Sequence, residues 1–592
     1  MPEPSTSSPA LAPRDGAEAP GDGQGPSADA PRIARQAPPD GSARRQFAHS
    51  SLTASAAYLT VALFLTRGAS LSGELPGAPM GEQWGRLFVT AQVSRWLTGA
   101  APLGHADLAG APDGVPFWPV DPATQLVLAP LSLLLGPHKA LLIGVIALIT
   151  LAGLGPYHLL RRLGAPLTSA FAAGLLVELA PYLLRNLHDL VLEVEAIGPV
   201  ALAIGALLAA REEPRLPRLV AAGGAIALVA LSSPYYAVYL ALGCALVLPF
   251  DRARWRAWAG IALAGALAGA LSLLPFALLE RGPNGRLSEV WSAQGYQLVP
   301  GPLVDPRSPD RDLPRSPPKP RDPPPAGPPP PPEPAWVRSL HRFPGGLALA
   351  AAGLMGLFAA RSRPFALLGL AFFFGGPGLT LTLRFVGKFG AAPTPPLLAL
   401  LDALPLTSTL GNPVRMLSAW VLLAALAGGL AARRAPLALA LLALALFETA
   451  FTLPGLVLPS SPLPLSPALA AQVEGPVVVF PSGDPPAWHP AVGPKETLTV
   501  AALAQAPVAS DYGRGATPAD LGLQVWLATQ GGVPIGRGAL VAPPDPSPSG
   551  FSWLVLLEDR LEPAQVTALQ AALQVDWIEV GRDDRAALWR RR

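Results

Sequence analysis

Long apolar runs alternate with short arginine-containing segments along most of the chain. About eleven such runs lie between residues 51 and 458, among them SLTASAAYLTVALFL, ALLIGVIALITLAGL and PLALALLALALFETAF. An apolar helix of about 20 residues crosses the hydrocarbon core, because its backbone hydrogen bonds are satisfied within the helix. The pattern therefore predicts an all-α polytopic membrane protein with about 11 transmembrane helices.

The arginines between the runs predict the orientation of these helices, because basic residues favour the cytoplasmic side. One topology places every basic cluster inside: N-terminus in, about eleven spans, C-terminus out. The spans near residues 218–250 are short and are interrupted at Ser233-Pro234. The clusters are Arg32 to Arg45, Arg161-Arg162, Arg211 to Arg218, Arg252 to Arg256, Arg361 to Arg363, and Arg433-Arg434.

Composition divides the chain into three regions. Residues 1–48 are rich in Pro, Ala and Gly and too poor in large apolar groups to form a core, which predicts a disordered cytoplasmic tail. Residues 49–458 form the transmembrane domain, with outer loops at 68–137 and 280–342. The second loop contains SPPKPRDPPPAGPPPPPEP, which predicts a solvated polyproline spacer. Residues 459–592 predict an extracytoplasmic α/β domain tethered to the outer face.

The first outer loop contains two helical patterns. In GEQWGRLFVTAQVSRWLTG the large residues recur near helical spacing, which predicts a helix lying in the membrane interface with its indole rings at headgroup depth. TQLVLAPLSLLLG is too short to span and predicts a re-entrant or interfacial helix. In the C-terminal region, VEGPVVVFPSG and FSWLVLLED predict buried strands, PAQVTALQAALQ a helix, and VDWIEVGRDDRAALWRR a strand pair.

Composition and missing motifs exclude several functions. The chain has 592 residues, 51% of them hydrophobic and only 14% charged, and its net charge of +3 does not suggest nucleic-acid binding. The single cysteine, Cys244, allows no disulfide framework and no thiol metal site. An N-terminus without an early apolar region predicts no cleaved signal peptide. No GxxxxGK[ST], HExxH or GxSxG pattern supports a nucleotide hydrolase, zinc protease or serine esterase.

The order of motifs resembles a known family. Gly81-Glu82 and a Trp-containing helix ending in WLTG are followed by PDGVPFWP and LAPLSLLLGPHKA. YHLLRRLG, ELAPYLLRNLHDLVLEVEAIGP, ALSSPYYAVYLAL, LPLTSTLGNPVRM and GPVVVFPSG come later. This series is similar to the bacterial polytopic GT-C-type membrane glycosyltransferases, including YfhO-like relatives, and covers most of the chain from about residue 50.

The resemblance implies an enzyme of the bacterial inner membrane. Such an enzyme transfers a sugar from a polyprenyl-phosphate-linked donor to a lipid or polysaccharide acceptor of the cell envelope, on the outer face. The family places an aspartate at the start of the helix in the first outer loop. Glu82 occupies that position here and keeps the carboxylate.

Four residues are candidates for catalysis. Glu82 would take the acceptor proton or hold a divalent ion against the leaving phosphate; the alternative is an acid favoured by the helix dipole. His188, Asp189 and Glu193 form a second acidic cluster with Glu195, for which ordinary surface acids are the alternative. If a metal takes part, oxygen ligands favour Mg²⁺ or Mn²⁺, with Glu82 and Asp189 as ligands.

Five residues are candidates for substrate binding. Arg415, in GNPVRM, would clamp a phosphate through two hydrogen bonds, and Arg86 and Arg95 would serve similarly; snorkelling towards headgroups is the alternative. Tyr235 and Tyr236 follow a helix break, where sugar or lipid contact competes with an interfacial tyrosine belt.

Two further acids, Glu178 and Glu448, lie deep within apolar runs, where pairing with an arginine is expected. A non-catalytic transporter or accessory protein for lipid-linked envelope precursors is the alternative function. Two features support this alternative: Glu82 replaces the family aspartate, and no acidic pair with DxD spacing accompanies it. Transporters often consist of two related halves with interrupted helices, and the lack of such halves in this sequence counts against a carrier. A third possibility is a binding scaffold that acts through the C-terminal domain.

Overall fold

The structure is a computed structural model that is divided into two units, residues 1–47 and 48–592. The described residues are 41–77, 83–108, 114–119, 121–188, 190–280, 346–376, 378, 396–397, 400, 413–452, 457–481, 495–507, 510–511, 515–516, 518–531 and 551–592. Glu82, Asp189 and the proline-rich outer loop therefore lie outside the described residues.

Helices make up most of the described chain. The first twelve are α1 Gly41–Leu65, α2 Arg67–Ser72, α3 Gln83–Thr98, α4 Pro122–Leu135, α5 Pro137–Arg162, α6 Leu167–Glu178, α7 Pro181–His188, α8 Leu192–Glu195, α9 Ile197–Glu212, α10 Leu216–Ser232, α11 Pro234–Val247 and α12 Trp255–Glu280. After the proline-rich loop come α13 Leu347–Phe358, α14 Arg363–Gly375, a 3₁₀ turn at Pro413–Met416, α15 Leu417–Ala431 and α16 Ala435–Thr452.

Three segments of the described residues are long and apolar enough to cross a membrane: Pro137–Arg162, Leu167–His188 and Leu192–Glu212. Eight shorter apolar helices accompany them. The break predicted at Ser233-Pro234 is present, since α10 ends at Ser232 and α11 begins at Pro234. The number of spans and their sidedness stay predictions.

Two glycines allow α1 to pack closely against α5 and α6. The ring of Tyr58 on α1 is fully buried, and its hydroxyl donates to the carbonyl of Phe171 at 3.0 Å. A Cβ at Gly153 would lie 2.6 Å from Cδ1 of Tyr58, and a Cβ at Gly174 would overlap the Tyr58 hydroxyl. Close approach of helix backbones through small residues is a common packing mode in membranes.

Asp251 joins two of the arginine clusters. Its carboxylate accepts from Arg211 at 2.5 Å, from Arg254 at 2.9 Å and from the indole of Trp258 at 2.9 Å. The hydrogen bond from Arg211 is the main reason that the pKa of Asp251 lies far below its ordinary value. The ends of α9 and α12 therefore meet at one end of the bundle.

The C-terminal region contains a four-stranded mixed sheet. Its strands are β5 Val477–Phe480, β8 Trp553–Leu557, β9 Trp577–Arg582 and β10 Ala586–Arg591. Their order in the sheet is β5-β8-β10-β9, with β5 parallel to β8 and the other pairs antiparallel. The strands predicted from VVVF, FSWLVLL and the C-terminal pair are all present, as is the predicted helix, Pro563–Leu573. The other strands among the described residues are β1 Leu75–Pro76, β2 His105–Ala106, β3 Val115–Pro116, β4 Ser460–Ser461, β6 Ser510–Asp511 and β7 Gly515–Ala516. The C-terminal helices are α17 Pro467–Ala470, α18 Lys495–Ala504, α19 Pro518–Gly531 and α20 Pro563–Leu573.

The first outer loop and the C-terminal region share one hydrophobic core. Leu87 and Phe88 of α3 are fully buried in the same cluster as Val500 of α18 and Val477 of β5. Short β1 pairs with β4 across the two regions. α18 packs against α3 on one side and α4 and α5 on another, while the predicted position of α3 at the membrane interface stays a prediction. The C-terminal region is packed against the loop and is not merely tethered.

We expect Gly174→Ala to lower the free energy of unfolding by about 1–3 kcal/mol, because the added methyl group collides with Tyr58 in a filled interior. Thermal unfolding of the detergent-solubilised chain measures the change. Gly224→Ala is the matched control, since a Cβ there meets nothing within 4 Å. Equal stability of the two variants would show that the Tyr58 contact does not restrain the helices.

Candidate functional site

Arg86 lies on the buried part of α3 and contacts two acids. Its side chain is 8% exposed; one terminal nitrogen lies 3.3 Å from Oδ1 of Asp121, and the other donates to Oε2 of Glu193. The pair between Arg86 and Glu193 joins the first outer loop to α8. Because α3 is covered by neighbouring helices, the guanidinium is held by packing as well as by charge.

Arg415 reaches the same carboxylate from a distant part of the chain. It lies in the 3₁₀ turn that precedes α15, and its guanidinium donates to Oε1 of Glu193 at 2.7 Å. The ring of Tyr235 lies beneath it, with 4.2 Å between the guanidinium carbon and the ring centroid. Each oxygen of Glu193 is thus bonded to a different arginine, and Glu193 bridges the two cations.

Asp121 completes the cluster at the N-terminus of α4. Its side chain is fully buried and accepts from Arg86 and from Gln125, whose own carbonyl accepts the hydroxyl of Thr90 at 2.9 Å. Burial raises the pKa of Asp121 to about 6, against the opposing effect of Arg86. Its charge therefore changes near neutral pH, whereas an ordinary aspartate stays ionised there.

The tyrosines predicted as contacts stand at the start of α11. Ser233 has extended backbone geometry, with φ −162° and ψ 111°, between two helices. Tyr235 faces Arg415, while the hydroxyl of Tyr236 donates to the carbonyl of Val194 in α8. The helix break thus turns one aromatic side chain towards the arginine and fixes the turn that carries Glu193.

Other predicted site residues are not placed in this cluster. Arg95 forms a two-pronged pair with Asp107, with its Nε 3.1 Å from each carboxylate oxygen, and so it holds the outer loop. His188 ends α7 and is half-buried. Glu82 and Asp189 lie outside the described residues, so their predicted roles stay predictions.

Sequence reasoning missed the network behind Arg86. Asp121, Gln125 and Thr90 are not among the site residues that the sequence predicts. The available signal was spacing: Arg86 and Thr90, like Asp121 and Gln125, are four residues apart and share a helix face. Nothing in the sequence shows that the two faces meet.

The two deep acids, Glu178 and Glu448, have different surroundings. Glu448 accepts from the backbone amides of Leu347 and Ala348, with 2.9 Å to the latter, and so binds the N-terminus of α13. Neither oxygen of Glu178 has a hydrogen-bond partner among the described residues. For Glu448 the N-terminus of a helix provides one positive partner.

The described acids do not fit a divalent cation. No group of three or more His, Cys, Asp or Glu side chains suited to a metal occurs among the residues that the structure describes. Both oxygens of Glu193 already accept from guanidinium groups, and Asp121 accepts from Arg86 and Gln125. The Mg²⁺ or Mn²⁺ prediction, with Glu82 and Asp189 as ligands, stays a prediction because both residues lie outside the described residues.

No family model and no curated protein matches the chain. Among solved structures, the Archaeoglobus fulgidus oligosaccharyltransferase in complex with zinc and sulfate is 14% identical, with a TM-score of 0.47, over 86% of this chain and 68% of its own. ArnT from Cupriavidus metallidurans is 13% identical in its apo state and 12% identical when bound to undecaprenyl phosphate. Its TM-scores are 0.39 and 0.37, over 92% of this chain and 98% of its own.

These neighbours are GT-C-type membrane glycosyltransferases, the group that the sequence motifs resemble. TM-scores below 0.5 do not establish a shared fold. The function proposed below therefore rests on the residues of this chain.

The pKa of Asp121 predicts a pH-dependent affinity for anions. At neutral pH the two guanidinium and two carboxylate groups cancel, and protonation of Asp121 leaves one positive charge in excess. We expect the affinity for a simple phosphodiester such as dimethyl phosphate, whose charge is constant in this range, to rise at least about fivefold as the pH falls from about 7 to about 5. Binding to the chain in nanodiscs measures this rise.

Asp121→Asn is the control for this experiment, because it keeps an acceptor for Arg86 but has no titrating group. Its affinity should stay near the low-pH value of the unmodified chain throughout. A variant that keeps the full pH dependence would assign the titration to another group.

Proposed function

We propose that the chain is a membrane glycosyltransferase. It moves a sugar from a polyprenyl-phosphate-linked donor to a cell-envelope lipid or polysaccharide acceptor on the outer face of the membrane. The observation that carries the proposal is the convergence of two buried arginines, Arg86 and Arg415, on Glu193.

The arginines suit the phosphate of such a donor. A guanidinium has five N–H donors and binds phosphate oxygens in a fork, so it can keep one contact to Glu193 while binding an anion. Residues held rigidly before the substrate binds need little reorganisation when charge develops. The ring of Tyr235 packs against the guanidinium of Arg415, and Asp121 accepts a hydrogen bond from Arg86.

The reaction needs a group that accepts a proton. The acceptor hydroxyl attacks the anomeric carbon, the bond from that carbon to the phosphate oxygen breaks, and the polyprenyl phosphate leaves with the electron pair. Arg86 and Arg415 stabilise the charge on the leaving phosphate. Glu82, four residues before Arg86, takes the acceptor proton, while His188 and Asp189 support it and Glu193 holds the two arginines in place.

Glu82→Gln tests the base. We expect it to lower transfer at least about a hundredfold, because the amide cannot accept the acceptor proton. Transfer of radiolabelled sugar from undecaprenyl-phosphate donors is compared in right-side-out and inverted vesicles at matched expression. Glu474→Gln, an exposed acid of the C-terminal domain, is the control. Undiminished transfer by Glu82→Gln would remove Glu82 from the reaction.

Arg415→Lys tests the phosphate contact. Lysine keeps the charge but lacks the fork and the planar face that lies on Tyr235, so we expect affinity for undecaprenyl phosphate to fall about tenfold or more. Arg582→Lys is the control, since this arginine pairs with Glu558 and Glu579 on the C-terminal sheet. Normal binding of lipid phosphate with no transfer of any sugar would favour the non-catalytic alternative.

A further inference from the structure

We propose that Glu195 binds a hydroxyl group of the donor sugar and makes the site selective for hydroxylated over deoxy sugars. The proposal rests on the function given above and names the sugar-facing side of the same site. Glu195 is 1% exposed, and its Oε1 has no hydrogen-bond partner among the described residues. A buried polar atom without a partner is costly and rare in native proteins.

Glu193 and Glu195 have different roles in the proposed site: Glu193 holds the two arginines, and Glu195 binds the sugar. Both lie in the single turn of α8, and Glu193 is fully engaged by Arg86 and Arg415. The backbone between them is fixed, because Tyr236 donates to the carbonyl of Val194. Residues two apart in a helical turn face different sides of the helix, so Glu195 meets a different part of the ligand from Glu193. Tyr182 interacts electrostatically with both Arg415 and Glu195, which places these two charged groups in one buried cluster.

Other groups near Glu195 suit a sugar. Tyr182 and Tyr236, both buried, are close enough to interact with its carboxyl group. Ser418 at the start of α15 lies beside both tyrosines and is 1% exposed. A buried carboxyl oxygen without a partner, flanked by the aromatic rings of two tyrosines, complements a ligand with several hydroxyls and apolar ring faces.

The unpaired oxygen of Glu195 predicts that the site binds a hydroxylated sugar more tightly than its deoxy analogue. A site that hydrogen-bonds a substrate hydroxyl rejects the analogue that lacks it, because its own buried polar group is then left unpaired. Glu195 makes no hydrogen bond to the described protein, so the sugar hydroxyl supplies the partner. A deoxy donor restores the unpaired state.

The test uses the full chain in nanodiscs and three kinds of probe: undecaprenyl phosphate, its glucose, galactose and mannose phosphodiesters, and the monodeoxy analogues of the tightest of these. We expect one deoxy analogue to bind the unmodified chain at least about tenfold more weakly than its parent. In Glu195→Met the two should bind within about twofold of each other. Affinity for undecaprenyl phosphate alone should be the same in both proteins.

Glu178→Met is the matched control, since Glu178 is equally buried and has no hydrogen-bond partner among the described residues, but lies on α6. It should keep the discrimination. Thermal unfolding gives a second readout: Glu195→Met should be at least as stable as the unmodified chain, because methionine removes an unpaired carboxyl group.

The results distinguish failure of the role of Glu195 from failure of the proposed function. Discrimination that persists in Glu195→Met, or a marked loss of stability in that variant, overturns the role of Glu195, while binding of undecaprenyl phosphate leaves the proposed function standing. If no undecaprenyl phosphate binds to the unmodified chain, the proposed function fails and the role of Glu195 fails with it.

Discussion

The bridge from Arg86 through Glu193 to Arg415 is the interaction on which the site depends. It joins the first outer loop, the turn at α8 and the start of α15, and its three side chains are each less than 10% exposed. Removing one partner of a buried ion pair typically costs about 3–5 kcal/mol, because the remaining charge loses its compensation. The three segments are therefore held in one arrangement, and any ligand anion meets guanidinium groups that are already in position.

This arrangement also explains why polar residues are buried around the bridge. Asp121, Gln125 and Thr90 form a chain of hydrogen bonds behind Arg86, in a region where water cannot satisfy them. A fully connected network of this kind is tolerated inside a protein, whereas an isolated polar group is not. Oε1 of Glu195, two residues from Glu193, has no hydrogen-bond partner among the described residues, and the proposed sugar hydroxyl would supply one.

The C-terminal region contributes to the site indirectly. By packing α18 on α3 and pairing β4 with β1, it turns the first outer loop into a buried element. Arg86 is thus supported by residues from the far end of the chain. Hydrophobic periodicity identified α3 as a helix, but one sequence pattern fits both a helix on the membrane surface and a helix covered by another domain.

The sequence by itself determined the local structure. Apolar runs and proline positions predicted the helices and the break before Tyr235, and alternation and length predicted the strands of the C-terminal sheet, because these depend on neighbours along the chain. It also marked Glu193 as a candidate from its place in an acidic cluster, and Arg86 and Arg415 as arginines that could clamp a phosphate. Only the tertiary structure decided which charges meet: that Glu193 lies between two arginines, that Arg95 pairs with Asp107, and that Asp121 belongs to the cluster. Those pairings join residues far apart in sequence, and their strength comes from burial, which no local pattern encodes.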